Sequence, residues 1–154
     1  RQWSRGLGDV YKRQELIFID GEMKEVENYK PLIDSGLISI MVAHLAIKNN
    51  ENFNTNGLPS TCSPKIVNDL LKDSLGFKGL IVTDALNMGA VSSINNNGLL
   101  AAMAGCDQLL MPIDEEKALM NLLNEIYKNE KSKLQIYESV KKIIRLKLCL
   151  GKIN

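Results

Sequence analysis

The order of elements predicts an α/β protein built on a parallel sheet. Three observations carry that reading. Short apolar runs recur as ISIMVA (residues 38–43), GLIVT (79–83) and QLLM (108–111). Stretches with helical spacing separate them, and Gly36, Gly76, Gly105 and Gly151 close helical stretches. Polar residues able to do chemistry follow the apolar runs, which is where parallel α/β folds place reactive groups.

Each element has a local cause. Residues 24–35 space Val26, Tyr29, Leu32 and Ile33 on one helical face, and Pro31 predicts a late start near Tyr29. Residues 38–43 form an apolar run suited to a buried parallel strand. Residues 49–56, NNENFNTN, read as a loop. Ser63 as N-cap and Pro64 at the first position predict a helix to about Ser74. Residues 79–83 are the second strand. Residues 97–104 are a short helix of small and apolar residues. Residues 108–111 are the third strand. Residues 114–128 and 132–150 are two closing helices, the second with apolar positions Leu134, Tyr137, Val140, Ile143, Ile144 and Leu148. Residues 15–20, ELIFID, could add a strand. A doubly wound sheet would need two strands before residue 37, and a (β/α)₈ barrel typically needs about 250 residues.

Composition narrows the function classes. The chain has 154 residues, 45% of them hydrophobic, in the range of a globular domain. Its net charge of +1 gives no electrostatic footprint for nucleic acid or an anionic membrane. No apolar run approaches the roughly 18 residues of a spanning helix. Cys62, Cys106 and Cys149 are odd in number and lack a CxxC pair, and His44 is the single histidine. A disulfide framework or a metal site is therefore not expected.

Residues 1–14, RQWSRGLGDVYKRQ, differ from the rest. They hold four basic residues (Arg1, Arg5, Lys12, Arg13) against Asp9, together with the only tryptophan, and they show neither helical nor strand periodicity. The segment resembles translated sequencing-adapter sequence and is read as a non-native leader, with a basic tail as the alternative. Without it, the 19 basic and 18 acidic residues of the chain lose four and one, leaving a net charge of −2.

Asking which polar residues end strands leaves few candidates. His44 follows the first strand, Asp84 the second, and Pro112 and Asp114 the third. Asp107 precedes its strand and belongs to the opposite, stabilising face. A carboxylate after IVT can be a nucleophile, a base, a ligand or a phosphoacceptor, or it can cap the next turn. His44 can equally be a hydrogen-bonded core histidine. Met88 and Met111 fit ordinary packing.

The stretch LPSTCSPKIVNDLLKDSLGFKGLIVTDALNMGA (residues 58–90) resembles the catalytic domain of glycoside hydrolase family 3. ISIMVAHL, AAMAGCDQLLMPID and ESVKKIIRLKLCLG follow the family's order and spacing. The resemblance implies that residues 15–154 are the C-terminal portion of a (β/α)₈ TIM-type barrel, about three βα units plus closing helices, truncated upstream. It implies Asp84 as the catalytic nucleophile, which must be ionised to attack the anomeric carbon and form a covalent glycosyl-aspartate. His44, Asn87 and Met88 would line the sugar site. No cofactor or metal is implied, and the partner is a carbohydrate.

Family members that cleave β-glucosides usually carry a tryptophan soon after the nucleophile. Here Asp84-Ala85-Leu86-Asn87-Met88 resembles the β-N-acetylglucosaminidase branch, which acts on amino sugars including cell-wall muropeptide fragments. The setting stays open between a bacterial cytoplasm and a periplasm. The branch places its acid/base histidine on a KHFPGHG-type loop before the first strand named here, and that block is absent. His44 follows that strand and does not match it. Cys62 stands where leucine is usual. Other readings are a β-glucosidase-type member of the family, a receiver-like signalling domain with Asp84 as phosphoacceptor, and a sugar-binding or structural half-barrel without catalysis. The second lacks an acid adjacent to Asp20 and a lysine directly after Met111.

The truncation reading predicts a Lys-His…Gly-His-Gly loop in the coding sequence upstream of residue 24. Sequencing the natural gene checks it, and a reading frame that opens near Glu15 would refute it.

Overall fold

A computed structural model describes residues 15–153; the leader assigned to residues 1–14 lies outside them. Among the described residues, four strands form two parallel pairs. Strand β1 (Ile17–Asp20) pairs with β3 (Leu45–Lys48), Ile17 opposite Leu45. Strand β2 (Ser39–Val42) pairs with β4 (Leu80–Thr83), Ser39 opposite Leu80. The α/β class with parallel strands therefore holds, and ELIFID does supply a strand. Strand β3 had no counterpart in the sequence reading. The chain leaves β2 at Val42 and enters β3 at Leu45, so Ala43 and His44 carry it from one pair to the other.

The third expected strand is corrected. Residues 108–111 make a single parallel bridge, Val82 to Gln108. Main-chain bonds do run beside β4, from Gln108 N to Ile81 O (3.0 Å) and from Thr83 N to Gln108 O (3.0 Å). Leu110 N, however, donates to the Thr83 hydroxyl at 2.9 Å rather than to a main-chain carbonyl. Met111 then takes a positive φ of 47°, which turns the chain away and ends the pairing.

Helix α1 (Tyr29–Asp34) starts where Pro31 predicted, after a 3₁₀ segment at Lys24–Asn28. The stretch after Pro64 is a π-helix, Lys65–Ser74, and Ser63 contributes its carbonyl to Ile66 N and Val67 N rather than a side-chain cap. Helices α2 (Gly89–Ser92) and α3 (Asn97–Ala104) follow β4; α2 was not expected. Helix α4 (Glu115–Lys128) is capped by Asp114, whose carboxylate accepts from Lys117 N at 2.9 Å. Helix α5 (Glu130–Cys149) begins two residues earlier than its apolar pattern suggested, because Asn129 Oδ1 caps it through Lys131 N (3.0 Å) and Ser132 N (3.3 Å).

The core gathers Val42, Val67, Leu71, Phe77, Ile81, Ala101 and Ala104 with the buried Cys62 and Cys106. Burial pushes both thiols up, Cys106 to about 12. Gly79 directly precedes β4 at a point where nothing larger fits: a Cβ there would run into the Ile38 carbonyl and the Phe77 ring. No helix among the described residues is long and apolar enough to cross a membrane.

Helix α5 docks through a mixed face, on which Ser132, Gln135, Ser139 and Lys142 sit beside the half-buried Ile136, Ile143 and Leu146. Gln135 Nε2 donates to Ala102 O at 2.6 Å. The Asp107 carboxylate receives Ser139 Oγ (2.7 Å), Lys142 Nζ (3.0 Å) and the main-chain N of Ile81 (2.9 Å). Its apolar positions Leu134, Tyr137, Val140, Ile144 and Leu148 remain exposed. Asp107, 2% exposed at its side chain, thus ties the closing helix to β4 from the end opposite Asp84. Asp107→Ala strands the Ile81 N–H and a Lys142 ammonium that is mostly covered. The loss should be about 2–3 kcal/mol of unfolding free energy, read by denaturant titration; a change under about 0.5 kcal/mol would remove Asp107 as the tie.

Candidate active site

The C-terminal end of β4 carries Asp84, and neighbours on several sides fix it there. Asp84 N donates to Val42 O at 3.0 Å, which continues the β2–β4 ladder one residue past the strand. On the other side Leu86 N reaches Leu110 O at 2.9 Å. The Thr83 side chain, fully buried, holds Leu110 N. Asn97 reaches back from the start of α3 and donates through Nδ2 to Leu86 O (2.9 Å) and Val91 O (3.0 Å). Asp84 itself is partly exposed, and its Oδ1 accepts from Ala85 N at 2.8 Å. That bond sets the rotamer of the carboxylate through the residue that follows it.

His44 joins this frame. Its Nε2 lies 2.9 Å from Ala85 O, and a carbonyl can only accept, so Nε2 carries a proton. In the neutral ring Nδ1 then accepts from Thr61 Oγ1, also at 2.9 Å. The imidazole is 5% exposed and both nitrogens are engaged inside the protein. His44 was expected to line the sugar site. The structure gives its ring another task, which is to hold the carbonyl next to the residue bearing the candidate nucleophile. The core-histidine reading of the sequence fits this geometry.

The structure brings Asp84, Asn87, Met88 and His44 into one neighbourhood but separates their roles. Asn87 is exposed; Met88 is buried, and its N–H closes a turn onto Ala85 O at 3.1 Å. Thr61, Thr83 and Asn97 support the site and were not singled out from the sequence. One signal was available for Thr83, since a β-branched hydroxyl directly before a strand-end aspartate faces the opposite side of the strand. Thr61 and Asn97 had none, being 23 residues before and 13 after Asp84. A cleft of about 400 Å³ lies beside this frame, lined by residues such as Asn96, Asn97, Pro112, Lys117 and Asn121, and Asp84 is not part of its wall. Among the described residues no group of three or more His, Cys, Asp or Glu side chains is arranged to hold a metal.

Comparison with known proteins adds the context for this geometry. The model of the glycosyl hydrolase family 3 N-terminal domain matches residues 16–146. A beta-hexosaminidase of Nitrosomonas eutropha is 35% identical over 107 residues, covering 66% of this chain and 28% of that protein. A beta-N-acetylglucosaminidase/beta-glucosidase of Cellulomonas fimi is 29% identical over 136 residues, covering 80% of this chain and 23% of that protein. A solved family 3 beta-N-acetylglucosaminidase from Paenibacillus sp. superposes with a TM-score of 0.74 at 26% identity, covering 87% of this chain and 27% of that one. The chain thus spans roughly a quarter of the length of each of these relatives.

Removing the imidazole tests the frame. His44→Ala takes away one of the two N–H groups on the Ala85 carbonyl, leaving that of Met88, and opens a cavity. Unfolding free energy should fall by about 2–4 kcal/mol, and Thr61→Val should cost about 1 kcal/mol through the same pair. Denaturant melts of the two single variants and the double variant check this. Additive losses in the double variant would show that the two side chains are not coupled.

Proposed function

The chain belongs to the glycosyl hydrolase family 3 N-terminal domain family, a TIM-barrel-type fold of which it carries part, and we propose that Asp84 is the nucleophile of a retaining glycosidase. The observation that carries this is the position of Asp84: a partly exposed carboxylate at the C-terminal end of a parallel strand, with its N–H bonded to Val42 O, Thr83 N and Leu86 N bonded to Gln108 O and Leu110 O on the other side, and Oδ1 held by Ala85 N. Strand ends of this kind are where barrel enzymes place reacting groups.

In the proposed reaction an Asp84 carboxylate oxygen attacks the anomeric carbon and forms a glycosyl-aspartate. A second group protonates the leaving oxygen, and water then opens the intermediate with retention of configuration. That second group is not His44, whose ring nitrogens are both taken up by Thr61 and Ala85. His44 acts as a positioning residue. It holds the Ala85 carbonyl while Ala85 N holds Asp84, so the nucleophile stays within a small range of attack angles. Asn87, exposed three residues on, is the side chain proposed to meet the sugar. Met88, buried next to it in the chain, is proposed to pack behind the sugar site.

The substrate class we favour is a terminal β-linked N-acetylhexosamine, including cell-wall fragments. The support is the Asp84–Met88 block without a following tryptophan, and the hexosaminidase names carried by relatives at 35% and 32% identity. A β-glucoside is the second reading. A probable beta-glucosidase J of Emericella nidulans covers 92% of this chain at 28% identity, and the Cellulomonas fimi relative carries both activities in its name.

In the complete enzyme that contains this segment, Asp84→Asn keeps the acceptor for Ala85 N and removes the nucleophile. Its kcat/KM on an aryl N-acetyl-β-glucosaminide should fall roughly 10⁴-fold or more. Near-normal turnover would remove Asp84 from that role. Preference of the unmutated enzyme for an aryl β-glucoside would move the substrate assignment to the second reading.

A further inference from the structure

We propose that Asn56 is a site of spontaneous deamidation, a modification that the fold permits there and suppresses at Asn97. The chain holds two Asn-Gly pairs, Asn56-Gly57 and Asn97-Gly98. Glycine has no side chain to shield its own main-chain nitrogen, so in such a pair that nitrogen can reach the preceding side-chain amide. Gly57 N attacks Asn56 Cγ and a new N–C bond closes a succinimide ring. The Cγ–Nδ2 bond breaks, and ammonia leaves with the proton given up by the Gly57 amide. Water then adds to either ring carbonyl, yielding aspartate by one opening and isoaspartate by the other. Nothing is oxidised or reduced, and water is the only co-reactant.

The two pairs sit in opposite surroundings. Asn56 and Gly57 are both exposed. They are the central residues of a tight turn, with φ of 53° and 82° and the bond Leu58 N to Thr55 O at 3.1 Å. Positive φ at both positions marks a type I′ turn, in which the closing bond uses Leu58 N rather than Gly57 N. Asn97 is half-buried at the start of α3, and Gly98 is buried. The Asn97 amide donates to Leu86 O at 2.9 Å and Val91 O at 3.0 Å, and an attack on its Cγ requires both bonds to open. The same dipeptide therefore meets solvent at one place and a closed hydrogen-bond frame at the other.

The position of Asn56 gives the product a structural effect. Thr55 pins the loop to β3, through Thr55 N to Ile47 O and Ile47 N to Thr55 Oγ1, both 3.0 Å. Beyond the turn, Ser60 Oγ bonds Leu45 O at 2.7 Å and Thr61 holds His44. Isoaspartate inserts a methylene into the main chain between those two attachments, so the segment that carries Thr61 to His44 lengthens.

The full chain, held in mildly alkaline buffer without denaturant, is sampled over time and digested with trypsin. Lys65, Lys72 and Lys78 place the two pairs in different peptides. Fragment-ion mass spectrometry assigns the amide-to-acid mass gain among the asparagines of residues 49–65, and chromatography separates aspartate from isoaspartate forms. Asn56 should convert to both products while Asn97 lags by roughly tenfold or more. In denaturant the two pairs should converge in rate. Equal rates in native buffer, or an Asn56 that stays intact there, overturns the proposal.

Discussion

The site depends on a carboxylate whose position is set by main-chain hydrogen bonds. A strand end is soft unless its last peptide groups find partners, because a buried N–H or C=O left alone is costly. At the end of β4 each successive group is met: Thr83 N by Gln108 O, Asp84 N by Val42 O, the Ala85 carbonyl by His44, Leu86 N by Leu110 O, and the Leu86 carbonyl by Asn97. The Asp84 side chain needs only one bond of its own, from Ala85 N, because the peptide that supplies it is already fixed.

The other end of β4 is held by a different kind of contact. There the carboxylate of Asp107 is buried and accepts from Ile81 N, Ser139 and Lys142, while Lys142 also reaches Gly79 O at 3.2 Å. One acid links strand, turn and closing helix. The division matches parallel α/β architecture, in which the C-terminal ends of strands carry chemistry and the N-terminal ends carry stability. Helix α5 makes these bonds through Gln135, Ser139 and Lys142 and leaves Leu134, Tyr137 and Leu148 exposed.

How much of this was legible depended on range. Pro31 set the start of α1 as the sequence suggested, whereas Asp114, read as a strand-end candidate and as the first residue of its helix, turns out to cap α4. Asp84 stood out because a strand-end acid is a local pattern. The QLLM run misled, since its apolar character is that of a strand while its ladder is cut short by a side chain 27 residues away, Thr83. Strand β3 was hidden because its partner β1 lies 28 residues earlier and LAIK is too short to show a period. The apolar positions of α5 were read correctly as a stripe, yet a stripe does not say which face a polar network will claim.

By itself the sequence determined the alternation of helices and strands, the absence of a membrane-length apolar helix and the acid at the end of the IVT strand. All of these rest on periods and neighbours a few residues apart. Only the tertiary structure decided what His44 bonds, that Thr61 and Asn97 meet the frame around Asp84, and that one Asn-Gly pair is open and the other closed. Those outcomes rest on bonds between residues 6 to 41 positions apart in the chain. The reason is physical. A hydrogen-bond partner is chosen by distance in space and by the cost of leaving a buried group alone, and neither quantity is written in the order of residues.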